Sequence, residues 1–154
     1  KKNDVKIGGV ITSSADTNRY EKKLFYSVVD IISQEKRELL SSIICTDKSI
    51  KTGRYYMNIE ALSWANGIIT AAAENCSAVM IDELGPAELQ GFGYAGIAKD
   101  LVNIYKGLII FIVRIQILEQ MQLYLHCNPE TIQVVNVENM SSENDQLLNK
   151  VFYE

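Results

Sequence analysis

Between Val79 and Leu89 the chain reads VMIDELGPAEL, and this stretch constrains the fold more than any other. A short apolar run ends in two adjacent carboxylates, Asp82 and Glu83, and a Gly85-Pro86 turn separates them from a third, Glu88. Such a run, bounded by turn residues, predicts a buried strand, and burial stops where charge begins. In open α/β sheets the C-terminal ends of the strands face the ligand crevice, so this strand would deliver its carboxylates to a site. Asp82, first after the apolar run, is the candidate ligand for a Mg²⁺ that keeps several waters. Glu83 is the candidate for ordering or deprotonating an attacking water. An acidic loop closing a buried strand is the plainer alternative.

The flanking patterns place this strand in a series. Val5 to Thr12 reads as a strand interrupted at Gly8-Gly9, where the backbone bulges or is closely approached. Leu24 to Ile32 and Glu38 to Cys45 predict an N-terminal β-hairpin across the charged segment Ser33 to Arg37, with a helix over Lys36 to Ser41 as the competing assignment. Thr46 to Met57 reads as a loop carrying Lys48, Lys51 and Arg54. From Asn58, a good N-cap, Ile59 to Glu74 has apolar residues at positions 62, 65, 69, 72 and 73 on one helical face. Gly91 to Tyr105 repeats that period. GLIIFIV, from Gly107, has the continuous apolarity of a strand in a parallel sheet and ends in Arg114. A helix over Gln116 to His126, a strand over Thr131 to Val137 and a last helix from about Ser142 to Val151 complete the prediction. The alternation implies a mostly parallel sheet with helices on both faces, in one domain over residues 1–154, with Asp82, Glu83 and Arg114 along a common edge.

Composition narrows the partners. With 19 acidic against 15 basic residues and no concentrated basic stripe, a surface that holds nucleic acid by phosphate neutralisation is disfavoured. A mononucleotide needs no such face. No apolar stretch is long enough to span a bilayer. Cys45, Cys76 and Cys127 lack metal or disulfide spacing and fit reduced thiols in a cytoplasmic protein, Cys45 and Cys76 as half-buried small hydrophobes.

Other side chains have two readings each. Arg54 is a candidate for gripping phosphate oxygens, or simply part of a solvated loop. Arg114 would neutralise the terminal phosphate, or make a surface ion pair. Glu88 would contribute to the nucleotide site, or support the loop from the first turn of the next helix. Trp64 stands off the helix's apolar face as a packing or part-exposed aromatic, and His126 reads as structural or exposed.

VMIDELGPAEL resembles the Walker B region of the THEP1-type nucleoside-triphosphatases, whose members read close to IDEIGPMEL. GRYYMNIEALSWAN is similar to that family's loop and helix start, and the likeness runs from GGVITSS through GLIIFIVR to VVNVENMSSENDQLL. The resemblance implies a RecA-like P-loop NTPase fold and Mg²⁺-dependent hydrolysis of ATP, GTP and other nucleoside triphosphates. It implies Asp82 near the metal and Glu83 as the catalytic carboxylate. Gly85, Pro86 and Glu88 would form the family's characteristic loop, with Arg54 and Arg114 as weaker transfers. Ala87 departs from the usual Met.

A larger departure is the lack of GxxxxGK[ST] anywhere in the 154 residues. Hydrolysis is expected if the first strand, P-loop and helix precede Lys1. A non-catalytic P-loop-NTPase-like binding domain is the alternative.

Overall fold

In a computed structural model of the chain, residues 5–13, 16–18, 23–43 and 47–137 are described. Eight strands form one mixed sheet among them: β1 (Ile7–Thr12), β2 (Asp16–Asn18), β3 (Lys23–Asp30), β4 (Lys36–Ser41), β5 (Ser49–Thr52), β6 (Tyr55–Asn58), β7 (Ala78–Leu84) and β8 (Leu108–Val113). Their order is β5-β6-β4-β3-β1-β7-β8, with β2 paired to β3. The three strands β1, β7 and β8 run parallel, and the N-terminal strands extend the sheet antiparallel from β1.

Helix α1 (Ile59–Asn75) covers one face of this sheet. Asn58 caps it as predicted, its side chain accepting from Glu60 N–H at 3.0 Å and Ala61 N–H at 3.3 Å. The buried stripe is Ala61, Ala65, Ile69 and Ala72, a small-residue face that lets the helix lie close to the strands. That closeness explains Gly8 of β1, and the approach of the β7 backbone explains Gly9. A Cβ on Gly8 would come within 2.8 Å of Ala72 Cβ and Cys76 Sγ, while Gly9, at φ +112°, would drive one into the Met80 carbonyl.

Val10, Val79, Ile81 and Leu84 pack on the α1 side, joined by Ile109, Phe111 and Val113. Strand alternation turns Ile11, Met80, Ile110 and Ile112 the other way. Those side chains are only partly buried among the described residues, Ile112 being 38% exposed. β8 has β7 as its single partner there, so an apolar strand stands at the sheet's edge.

Four predicted elements differ. The segment 46–57 is not a loop: β5 and β6 form a hairpin through Gly53 at φ +58°, and β6 pairs with β4. The helix expected from Gly91 begins later, as α3 (Ala95–Ile104), because Gly91 and Gly93 adopt φ of +85° and +61°. Residues 131–137 form no strand; a 3-10 turn, Pro129–Thr131, leads into irregular chain with Val134 and Val137 exposed. A strand exists by its ladder, and these β-branched residues pair with no strand among the described residues. The hairpin β3–β4 is as predicted, and Lys36–Ser41 is strand rather than helix. The helix expected over Gln116 to His126 is a 3-10 turn, Ile115–Ile117, followed by α4 (Leu118–Tyr124). The helix expected from Ser142, and Cys45, lie outside the described residues. No helix among those residues is long and apolar enough to cross a membrane.

Candidate active site

The site starts at the end of β7. In the pairing with β8, Asp82 lies opposite Ile112 and Leu84 opposite Val113, which leaves Glu83 as the extra residue of a bulge. A bulge re-aims the side chain it frees. Leu84 returns to the core, while Glu83 projects from the edge and accepts from Arg114 Nε at 2.7 Å. Arg114 follows β8 directly, so two neighbouring parallel strands deliver the two partners to one corner. Their side chains remain 62% exposed for Arg114 and 36% for Glu83. An ion pair this wet contributes little to stability and is free to re-form on a ligand.

Asp82 is held differently. Thr12, at the end of β1, donates its N–H to Asp82 Oδ2 at 3.3 Å and its hydroxyl to the Asp82 carbonyl at 2.5 Å. Burial raises the Asp82 carboxyl above the usual carboxylate range, the Thr12 N–H opposes this, and the negative charge of Glu83 adds to it. A cation beside Asp82 would offset both causes of that rise.

Glu88 sits in the short helix α2 (Pro86–Leu89) and is 5% exposed. Its Oε2 accepts from Gly85 N–H at 2.8 Å and its Oε1 from Tyr94 N–H at 3.1 Å. Gly85 has no side chain to return the bond, so this is the glutamate half of a capping box. Burial raises the Glu88 carboxyl, and the backbone donors partly offset it. The carboxylate therefore clamps the loop between β7 and α3, which is the supporting role weighed above.

Arg54 lies on the tip of the β5–β6 hairpin, its guanidinium 4.9 Å from the centre of the Tyr55 ring. The Tyr26 and Tyr55 rings meet edge to face with centroids 5.5 Å apart, and their hydroxyls are 3.5 Å apart. The hydrogen bond to Tyr55, then burial, hold the Tyr26 phenol above its usual range, and the positive charges of Arg54 and Arg114 offset this in part.

Four residues escape sequence reading. Thr12 stands 70 positions from Asp82, and only the parallel register of β1 on β7 joins them. Tyr26 reads as a strand aromatic and Tyr55 as part of a loop, and the two meet across β4. Tyr94, 3% exposed, has a buried hydroxyl with no hydrogen-bond partner among the described residues. Burial, then the charges of Glu88 and Asp82, push its phenol up.

Trp64 is half-buried beneath the Arg37 guanidinium at 4.6 Å, a packing aromatic as expected, and Cys76 is half-buried against the core. His126 is exposed in the turn after α4. A groove of about 640 Å³ runs beside it between Glu119 and Val134 and contains none of the carboxylate-edge residues. No group of three or more His, Cys, Asp or Glu side chains is set to enclose a metal among the described residues.

Comparison with known proteins places these features. The chain shares its fold with the crystal structure of THEP1 from the hyperthermophile Aquifex aeolicus, at a TM-score of 0.69 and 15% identity, over 95% of this chain and 84% of that one. No curated protein matches it. The family model described as NTPase matches residues 1–152, and with Asp82 and Glu83 ending a parallel strand of a P-loop-NTPase-like sheet, the chain belongs to the THEP1-type NTPase family.

Proposed function

We propose that this chain, as a single domain, catalyses Mg²⁺-dependent hydrolysis of nucleoside 5′-triphosphates, ATP and GTP among them, to the diphosphate and phosphate, in the cytoplasm. The observation that carries the reading is the bulge that places Glu83 outside the β7–β8 ladder beside the Thr12-braced Asp82. Asp82 would hold the cation. Its environment fits a hard ion that keeps its waters: one half-buried carboxylate, one oxygen on Thr12 N–H, and no enclosing set of protein ligands. A bound Mg²⁺ neutralises charge on the β- and γ-phosphates. Glu83 would order and deprotonate the attacking water, and Arg114, released from Glu83, would meet the terminal phosphate. Arg54 would grip phosphate oxygens from the hairpin. Glu88 would act on the nucleotide site indirectly, by fixing the loop that follows the two carboxylates.

The reading requires a phosphate cradle that the 154 residues do not contain, since GxxxxGK[ST] does not occur in them. Among the described residues the outer edge of β8 is unpaired, and with the part-exposed Met80, Ile110 and Ile112 it offers a further strand and helix a place to pair and pack. Only if no P-loop precedes Lys1 does the missing lysine favour the second reading, a non-catalytic P-loop-NTPase-like binding or regulatory domain. Phosphate release and calorimetric titration with Mg·ATP and Mg·GTP separate the two, using the full encoded chain. Turnover that falls about 10²- to 10⁴-fold in Glu83→Gln, with binding retained, supports hydrolysis. Binding without turnover in the unaltered protein supports the second reading. Turnover that survives loss of both Asp82 and Glu83 side chains defeats the mechanism.

A further inference from the structure

The Tyr26–Tyr55 pair is used by nothing above, yet one of its rings carries the guanidinium of Arg54, a candidate phosphate-binding residue. Four observations define the place. Arg54 lies over the Tyr55 face, and among the described residues no carboxylate pairs with it. Tyr26 meets Tyr55 at an interplanar angle of 89°, which pins the ring that Arg54 rests on. Ser13 N–H donates to the Ser27 carbonyl at 2.8 Å, so Tyr26 sits one residue beyond the point where the Thr12 end of β1 leaves β3. Two strand spacings, about 10 Å, separate β3 from β7 at that edge. Finally, β6 packs on the loop that Glu88 clamps, since a Cβ on Gly93 would lie 3.7 Å from Met57 Cε and overlap Glu88 Oε1.

A guanidinium stacked on an aromatic ring keeps its N–H edge free and loses little entropy on gripping an oxyanion. Two hydroxyls at hydrogen-bond distance add to this. One donates to the other, and the remaining O–H is left to donate outward toward an acceptor. Arg54 brings a fixed positive charge onto the Tyr55 face. The place therefore suits an anion.

We propose that Arg54 is a preassembled arm that binds the polyphosphate anion across from the Asp82–Glu83 edge, with Tyr55 and Tyr26 as its positioning residues. The inference rests on the nucleotide reading above and adds to it how the hairpin engages the substrate. Tyr55 supplies the platform, and Tyr26 fixes the platform's tilt. The β5–β6 hairpin becomes the substrate-facing part of the antiparallel extension.

The test is a double-mutant cycle on the full encoded chain, read by calorimetric titration of inorganic tripolyphosphate with Mg²⁺ and, separately, by kcat and KM for ATP. Arg54→Ala is expected to weaken tripolyphosphate about tenfold or more. Tyr55→Ala should weaken it about 3- to 10-fold, and the Arg54→Ala/Tyr55→Ala double variant no further than Arg54→Ala alone. Tyr55→Phe keeps the ring under the guanidinium but removes one hydroxyl of the pair, and should weaken tripolyphosphate less than Tyr55→Ala does, by about 2- to 3-fold. Thermal melts show whether Tyr55→Ala is folded; Tyr55→Leu, which keeps apolar volume but no π face, substitutes for it if it is not. Additive losses in the cycle, or tripolyphosphate affinity unchanged by Arg54→Ala, overturn the arm. Failure of the nucleotide reading looks different: Glu83→Gln then leaves turnover untouched whatever the cycle shows.

Discussion

Glu83 and Glu88 leave the same strand end five residues apart and finish in opposite environments. Glu83 is the unpaired residue of a bulge, 36% exposed, held by one exposed guanidinium. Glu88 is 5% exposed and held by two backbone N–H groups, those of Gly85 and Tyr94. The first arrangement costs little to break, so its carboxylate can change partners during a reaction. The second leaves buried donors orphaned when it is broken, so its carboxylate is architecture. Residue type and motif spacing make both candidates for chemistry, and the partners decide between them. Charge that meets a mobile side chain is available to a substrate; charge that meets fixed backbone is committed.

Removing Glu88 is the strongest way to break this comparison. Glu88→Ala should destabilise the fold by about 3 kcal/mol, because two charge-assisted bonds go and two buried N–H groups lose their acceptor. Glu83→Gln should barely move the same denaturation midpoint. Equal stability losses at the two positions would erase the distinction. Glu88→Gln keeps one acceptor but turns an amide NH₂ toward a backbone donor, and should cost about half as much. It also exposes a pH signature. The folded-state pKa of Glu88 is raised, chiefly by burial. Its contribution to stability is therefore fully present below the unfolded-state value near 4.5 and is lost as pH rises through the raised folded value. Denaturant melts across that window should show a pH-dependent component in the unaltered protein that Glu88→Gln lacks. Gly93→Ala attacks the same clamp from outside, combining a φ of +61° with overlap onto Glu88 Oε1, and should cost about 2 kcal/mol. A Gly93→Ala protein as stable as the original would mean that the loop relaxes freely and Glu88 is not its anchor.

The parallel core and the charged residues grouped at its edge were legible for a simple reason. In β7 and β8 an apolar run meets a charged residue, and that boundary marks the strand's end and the start of the candidate site, which brings Asp82, Glu83 and Arg114 together. Asn58 and the spacing of Ala65, Ile69 and Ala72 were equally local signals. What stayed hidden depends on contacts distant in sequence. The hairpin Ser49–Asn58 is short and half-exposed, its apolar signal diluted by Lys51 and Arg54, and β6 is fixed by pairing with β4 rather than by its own pattern. Residues 131–137 have strand-like composition and no ladder, so propensity alone misplaced them. Thr12 beneath Asp82, and Tyr26 beside Tyr55, follow from register and topology that no local window contains. Glu88 was the instructive ambiguity: spacing placed it in the motif, but only the two N–H donors show what it holds.

The smallest effect tests the comparison at its border, where Tyr94 touches both environments. Its N–H belongs to the Glu88 clamp, while its buried hydroxyl has no partner among the described residues and senses the charges of Glu88 and Asp82. A buried hydroxyl without a partner costs about 1 kcal/mol or more, and phenylalanine fills the same space without that cost. Tyr94→Phe should therefore stabilise the protein by about 1 kcal/mol and leave the clamp intact, since the backbone N–H remains. Equilibrium denaturation measures the sign directly. A loss of stability instead would mean that the hydroxyl is satisfied in solution, by a water lodged between Tyr94 and the carboxylates. The committed region would then extend as far as Asp82, and the division between a mobile charge and a fixed one would fall between Asp82 and Glu83 rather than after them.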